Sequence, residues 1–177
     1  MRADKGGGRT ATLAESSLPI TVPVTGVLAR KQLAAAVPSF NDRPVTITYE
    51  WRGEFDNADL NRLHAEGFGH GVLEDDWRGQ LAQHSLGWVC ATRDGELTGF
   101  VNVAWDGGVH AFILDTLVAA SARRQGIGTA LVHLAAWHAR AAGCEWLHAD
   151  FEDHLTSFYY QACGFTPANA GLIPLRR

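Results

Sequence analysis

The stretch Leu117-Val118-Ala119-Ala120-Ser121-Ala122-Arg123-Arg124-Gln125-Gly126-Ile127-Gly128 decides how this chain is read. An apolar run ends, two arginines follow, and two glycines flank an isoleucine. Thr129-Ala130-Leu131-Val132-His133-Leu134-Ala135-Ala136-Trp137 then repeats apolar residues at helical spacing. The pattern predicts a strand, a turn and a helix whose first N–H groups are left free by small residues. Such a helix start attracts anions, because unpaired N–H groups and the positive end of the dipole coincide there. Arg123 and Arg124 add formal charge, so a phosphate-bearing ligand is the first expectation.

Working outward, the 177 residues fit one domain, large enough to bury a core without covalent staples. Hydrophobic residues make up 46% and charged residues 19%, the composition of an ordinary globular chain. The net charge of -4 argues against nucleic acid as a partner and suits an amine-bearing substrate better. Cys90, Cys144 and Cys163 are odd in number and widely spaced, which matches neither a disulfide framework nor a zinc pair. Reduced thiols in a cytoplasmic protein are expected. No apolar run reaches the roughly 20 residues of a membrane span. Arg2, Lys5 and Arg9 precede a mildly apolar stretch, but Pro19, Pro23 and Gly26 interrupt it, so it makes a poor secretion signal.

Residues 1–44 carry Gly6-Gly7-Gly8 and four prolines and show no period. They are expected to be a disordered or loosely attached leader, or to come from a start codon set upstream of a natural start near Val45. Residues 45–177 form the domain. Val45–Trp51 alternates and is β-branched, as a strand does. Asn57 is expected to cap a helix through Glu66, broken by Gly67, Gly69 and Gly71, and Asp75 or Asp76 to start a second helix through His84. Asp94-Gly95 and Asp106-Gly107-Gly108 divide residues 87–118 into three meandering strands. After the glycine loop come a helix closed by Gly143, a strand Glu145–Phe151, a short helix Leu155–Ala162, and a last strand or extended tail from Phe165. This order predicts an α/β (α+β) domain with a mixed, mostly antiparallel sheet and helices on its faces.

Three phosphate ligands compete for the loop. A nucleoside triphosphate needs a Lys-Ser/Thr pair after the last glycine, but Thr129-Ala130 follows and no lysine occurs past Lys31. A dinucleotide would use Gly126 and Gly128, with Asp150 on the next strand for the ribose. Yet Leu131 stands where the third glycine belongs, and the preceding strands are hairpins. The third is coenzyme A. Arg123-x-x-Gly126-x-Gly128 resembles the acyl-CoA signature of the GNAT superfamily of N-acyltransferases. Phe158-Tyr159-Tyr160-Gln161-Ala162-Cys163-Gly164-Phe165 resembles that superfamily's second motif. The likeness runs from about Val45 to the C-terminus. It departs at Ala120, where many members carry proline, and at Asp153, where many carry asparagine.

The resemblance implies a GNAT-type fold and transfer of an acetyl group from acetyl-CoA to a primary amine of a small molecule or peptide. Pyrophosphate would lie on the N–H groups of Gln125, Gly126, Ile127, Gly128 and Thr129, neutralised by Arg123 and Arg124, one of which is alternatively a solvated charge. The strand ending at Leu117 and Val118 would splay from its neighbour so that pantetheine amides pair with its edge, and Leu117 N–H would stabilise the oxyanion. Tyr160 would protonate the CoA thiolate. Asp115 is the first candidate base for the amine, with His110, Asp150 and Glu152 as alternatives. A non-catalytic acyl-CoA-binding regulator and a transferase using another acyl-CoA are the rival readings.

The acceptor pocket would be walled by the first two helices. Glu74-Asp75-Asp76 there either attracts an ammonium group or serves the dipole of a helix start. The glycines between those helices suit a mobile lid. No metal is expected, because the eight histidines form no ligand motif. Antibiotic, polyamine, amino acid, peptide N-terminus and protein lysine all remain open as acceptors. Exposed strand edges near the C-terminus allow a homodimer.

Overall fold

The computed structural model describes residues 20–23 and 46–175. Six strands form one sheet in the order β1 (Ile20–Pro23), β2 (Thr46–Trp51), β3 (Ser85–Arg93), β4 (Glu96–Trp105), β5 (His110–Val118) and β6 (Trp146–His148). Each neighbouring pair is antiparallel except β5 and β6, which run parallel. The sheet is therefore mixed and mostly antiparallel, as the sequence predicts. β1 lies within the segment expected to carry no element, and it pairs antiparallel with β2. The remainder of the leader lies outside the described residues, and of the stretch weighed as a secretion signal only residues 20–23 are described.

Helices cover both faces. α3 (Ile127–Ala141) buries Ile127, Leu131 and Ala135 against Ile47, Val89, Val101 and Ile113. α1 (Asn57–Phe68) and α2 (Trp77–His84) bury Leu60, Leu63, Trp77 and Leu81 against Cys90, Phe100 and Leu117 on the opposite face. These faces alternate along β4, where Phe100 serves one core and Val101 and Val103 the other.

Along β5 the alternation breaks. Leu114 pairs with Asn102 and Leu117 with Phe100, so Val101 alone faces Asp115 and Thr116. This is a β-bulge, and Asp115 takes a positive φ of 51° within it. Ala111 and Ile113 belong to the α3 core, whereas Leu117, an even number of residues onward, belongs to the α1–α2 core. The extra residue therefore inverts the faces of the strand and bends it.

α1 is capped by Asp56, whose side chain accepts from Ala58 N at 2.7 Å, and not by Asn57 as expected. Asp56 is extended, with φ -93° and ψ 137°, which is the backbone a cap needs, while Asn57 already belongs to the helix. Asn57 instead binds α2, donating to Asp76 Oδ1 at 2.9 Å and accepting from Arg78 N at 3.1 Å. Buried Asn61 accepts from Trp77 Nε1 at 3.0 Å and donates to the Asp75 carbonyl at 3.0 Å, locking the two helices together.

The C-terminal elements are shorter than predicted. β6 stops at His148 rather than Phe151. The short helix becomes a 3₁₀ turn, Asp153–Leu155, followed by a π-helix, Ser157–Ala162. From residue 164 to 175 the backbone has no regular structure.

Candidate active site

β6 accompanies β5 only from His110 to Phe112. Beyond that point β5 bends at its bulge, and a cleft of about 1000 Å³ opens between Ile113–Val118 and residues 150–155. The start of α3 closes one side of this cleft, and Gly67 and Phe68 of α1 close another.

The α3 start leaves its first backbone N–H groups without a side-chain cap. Gly126 is the N-cap in the left-handed region, φ 80°. An added Cβ at Gly126 would meet nothing within 4 Å, so conformation alone asks for glycine there. At Gly128 a Cβ would stand 3.1 Å from Phe158 Cε2 and 3.6 Å from Val118 Cγ2. The missing side chain at 128 thus lets the Phe158 ring pack onto the first turn of α3.

Arg123, Arg124, Gly126, Ile127, Gly128, Thr129, Leu117, Val118 and Asp115 all border the cleft. Arg123 Nε donates to the Val118 carbonyl at 3.0 Å, which folds that cation back onto β5. The Gln125 side chain turns away, accepting from Arg93 at 2.8 Å. Leu117 pairs with Phe100 and packs against the α1 backbone at Gly67, where a Cβ would come within 2.5 Å of Leu117 Cδ2.

The two tyrosines differ in position. Tyr159 borders the cleft, is buried, and its hydroxyl donates to Thr116 Oγ1 of the bulge at 3.3 Å. Burial pushes this phenol above its ordinary range. Tyr160 is half-buried, meets Phe151 edge-on at 5.3 Å, and stands outside the residues that border the cleft. Spacing alone singles out Tyr160. The cleft-facing role of Tyr159 depends on the π-helix, which shifts side-chain faces relative to an α-helix.

Asp115 is mostly buried, and burial raises its carboxyl above the usual range, opposed by the His64 charge and by hydrogen bonds from Asn102 and His64. Its partner His64, on α1, lies in the stretch expected to wall the acceptor pocket, and nothing in the sequence signals its pairing with Asp115. Asp150 and Glu152 border the cleft. His110 lies outside the cleft-bordering residues, on the part of β5 that β6 covers, 2.8 Å from His148. Asp76 caps α2 through Gly79 N at 3.2 Å, a bond that pulls its carboxyl below the ordinary range. Of the two roles open to that acid, the helix-start role is the one observed.

Burial holds the thiols protonated. Cys90 is pushed up to about 12 and Cys163 to about 11. Among the described residues, no three His, Cys, Asp or Glu side chains come close enough to share a metal ion. Nor is any described helix long and apolar enough to cross a membrane.

Residues 46–165 match the sequence profile of the acetyltransferase (GNAT) family. The chain belongs to that family. The GNAT fold of this chain also recurs in solved structures. An acetyltransferase of the GNAT family from Streptococcus pneumoniae superposes with a TM-score of 0.60 at 22% identity, covering 74% of this chain and 98% of that one. An aminoglycoside N-acetyltransferase in complex with CoA gives 0.62 at 19% identity, covering 77% and 98%. Glucosamine-6-phosphate N-acetyltransferase from Arabidopsis thaliana gives 0.57 at 14% identity, covering 71% and 97%. No curated protein matches this GNAT chain in sequence.

Proposed function

We propose that this chain transfers an acetyl group from acetyl-CoA to a primary amine of a small molecule or peptide, by direct attack within a ternary complex. One observation carries this reading: a single cleft joins an uncapped helix start, flanked by Arg123 and Arg124, to an unpaired strand edge and a mostly buried carboxylate. The helix start and arginines suit a pyrophosphate. The β5 edge beyond Phe112 suits the amides of a pantetheine arm and offers its outward N–H groups to the oxyanion. Leu117 N–H, in register with the Ala119 N to Thr98 carbonyl bond, faces Phe100 on β4 instead, and the adjacent Val118 N–H faces the open edge. CoA in the aminoglycoside N-acetyltransferase complex, which shares the fold, supports the same ligand here.

In the reaction the amine nitrogen attacks the thioester carbonyl, the C–S bond breaks, and the thiolate takes a proton. Asp115 removes the amine proton, and burial, which raises its carboxyl above the usual range, makes it a stronger base than an exposed carboxylate. The motif assigns the acid to Tyr160. The hydroxyl of Tyr159 on the cleft wall favours Tyr159 as a second reading. The high thiol pKa of Cys163 supports direct transfer over a cysteine acyl-enzyme. Free thiols suit a cytoplasmic enzyme. A panel of amines, assayed by release of free CoA thiol, tests the proposal: turnover of at least one primary amine is expected. Acetyl-CoA binding without turnover of any amine would favour the non-catalytic regulator.

A further inference from the structure

His64, His70 and Asp115 form one connected chain from the cleft to solvent. His64 Nε2 lies 3.6 Å from Asp115 Oδ1. His64 Nδ1 is 2.9 Å from His70 Nε2, and His70 Nδ1 is 2.6 Å from the Gly71 carbonyl. Exposure rises along this chain, from about a fifth at Asp115 and His64 to an exposed His70.

The carbonyl at its end orders the protons of the two rings when both are neutral. A carbonyl oxygen only accepts, so His70 carries its hydrogen on Nδ1. Neutral His70 then offers a lone pair at Nε2, and His64 Nδ1 must donate to it. That leaves His64 Nε2 facing the carboxylate of Asp115. A bare ring nitrogen and a carboxylate oxygen repel, whereas one proton between them satisfies both. The gap of 3.6 Å is longer than a hydrogen bond, as catalytic pairs often are before ligands bind. The other groups facing His64 are neutral: Phe68 of its own helix and Trp77 of α2, with ring centroids at 4.6 and 5.1 Å. Glu66, also on α1, is turned away to accept from Ala120 N at 2.8 Å.

We propose that His64 and His70 are a proton relay that carries the proton Asp115 takes from the acceptor amine out to solvent. The inference rests on the acetyl-transfer reading above. The amine N–H bond breaks and its proton joins Asp115. Asp115 passes a proton to His64 Nε2, and His64 passes its Nδ1 proton to His70 Nε2. Exposed His70 releases its Nδ1 proton to water in place of the Gly71 carbonyl, and both rings regain the Nδ1–H form by proton exchange with water before the next turnover. One proton enters at the carboxylate and one leaves at the surface.

The test compares kcat/KM across pH for the wild type, His64→Gln, His70→Gln and His70→Ala, with acetyl-CoA affinity measured on each as a check of the fold. His64→Gln is expected to lose about 10–100-fold near neutrality, the deficit shrinking as pH nears the amine pKa of about 10. His70→Gln keeps an acceptor for the His64 Nδ1–H yet cannot carry a proton, whereas His70→Ala admits water. A relay therefore makes His70→Gln the slower of the two, and a merely structural role makes it the faster. Ring ¹⁵N spectra of the wild type are expected to report Nδ1–H for both neutral histidines, and an Nε2–H form at His70 would overturn the relay. Wild-type turnover with an unaffected His64→Gln would sink the relay alone. No turnover of any amine by the wild type would sink the acetyl-transfer reading and the relay with it.

Discussion

Replacing Gly126 by alanine probes the helix start in isolation. The residue sits at φ 80°, and an added Cβ would touch nothing within 4 Å. The cost is therefore conformational, roughly 1–2 kcal/mol for an alanine held in the left-handed region. No packing around the new methyl holds the loop in place, so the cheapest response is for the loop to relax in the free protein and to be re-formed when ligand binds. At 1.4 kcal/mol per decade, that converts into a rise in acetyl-CoA Kd of about 5–30-fold. Gly107 supplies a matched control: φ is also 80°, a Cβ there also meets nothing within 4 Å, and it lies in the β4–β5 turn at the other end of β5. Gly107→Ala is expected to lower Tm while leaving the Kd unchanged. Gly126→Asn should recover most of the affinity, because asparagine tolerates this backbone. Calorimetric titration and thermal melts of the three variants make the assay. An unchanged Kd for Gly126→Ala would refute the idea that the loop's shape is what the ligand uses.

Asp115→Asn is expected to lower kcat about 10²–10⁴-fold near neutrality with little change in acetyl-CoA affinity, read by thiol release beside calorimetry. Of the two tyrosine variants, Tyr160→Phe is expected to cost the larger factor in kcat, as the motif assigns. The reverse order would move the acid role to Tyr159, whose hydroxyl meets Thr116 on the cleft wall. His138 stacks on Trp51 at 4.1 Å, and burial, aided by the Arg52 charge, holds it down at about 4 from 6.5. Its folded pKa is depressed, so its contribution is complete above pH 6.5 and is lost as pH falls from there toward about 4. Solvent screening at this partly exposed ring leaves a loss of about 1 kcal/mol. Denaturant melts across that window should show the loss in the wild type and its absence in His138→Gln.

The parts of the fold legible in the sequence are those fixed by local chemistry. Asp94-Gly95 and Asp106-Gly107 fix two hairpins, with positive φ at Asp94, Gly95 and Gly107. The apolar stripe of α3 and the glycine before it mark the cleft's most recognisable wall. What escaped reading depends on insertions of one residue or on distant neighbours. The bulge at Asp115 leaves no compositional mark, yet it decides that Leu117 packs beneath α1 rather than α3. The π-helix similarly moves Tyr159, and not its neighbour, to the cleft. His64 and His70 stand six apart and reach each other only because Gly69 turns the chain at φ 71°. Strand β1 was hidden because its alternation is only four residues long and ends in Pro23.

The central claim is that the cleft takes acetyl-CoA, and calorimetric titration of the full chain with acetyl-CoA, NADH and ATP tests it most directly. Micromolar binding of acetyl-CoA, with neither nucleotide control bound, is the predicted result. No binding of acetyl-CoA, or binding no tighter than that of NADH or ATP, would contradict it.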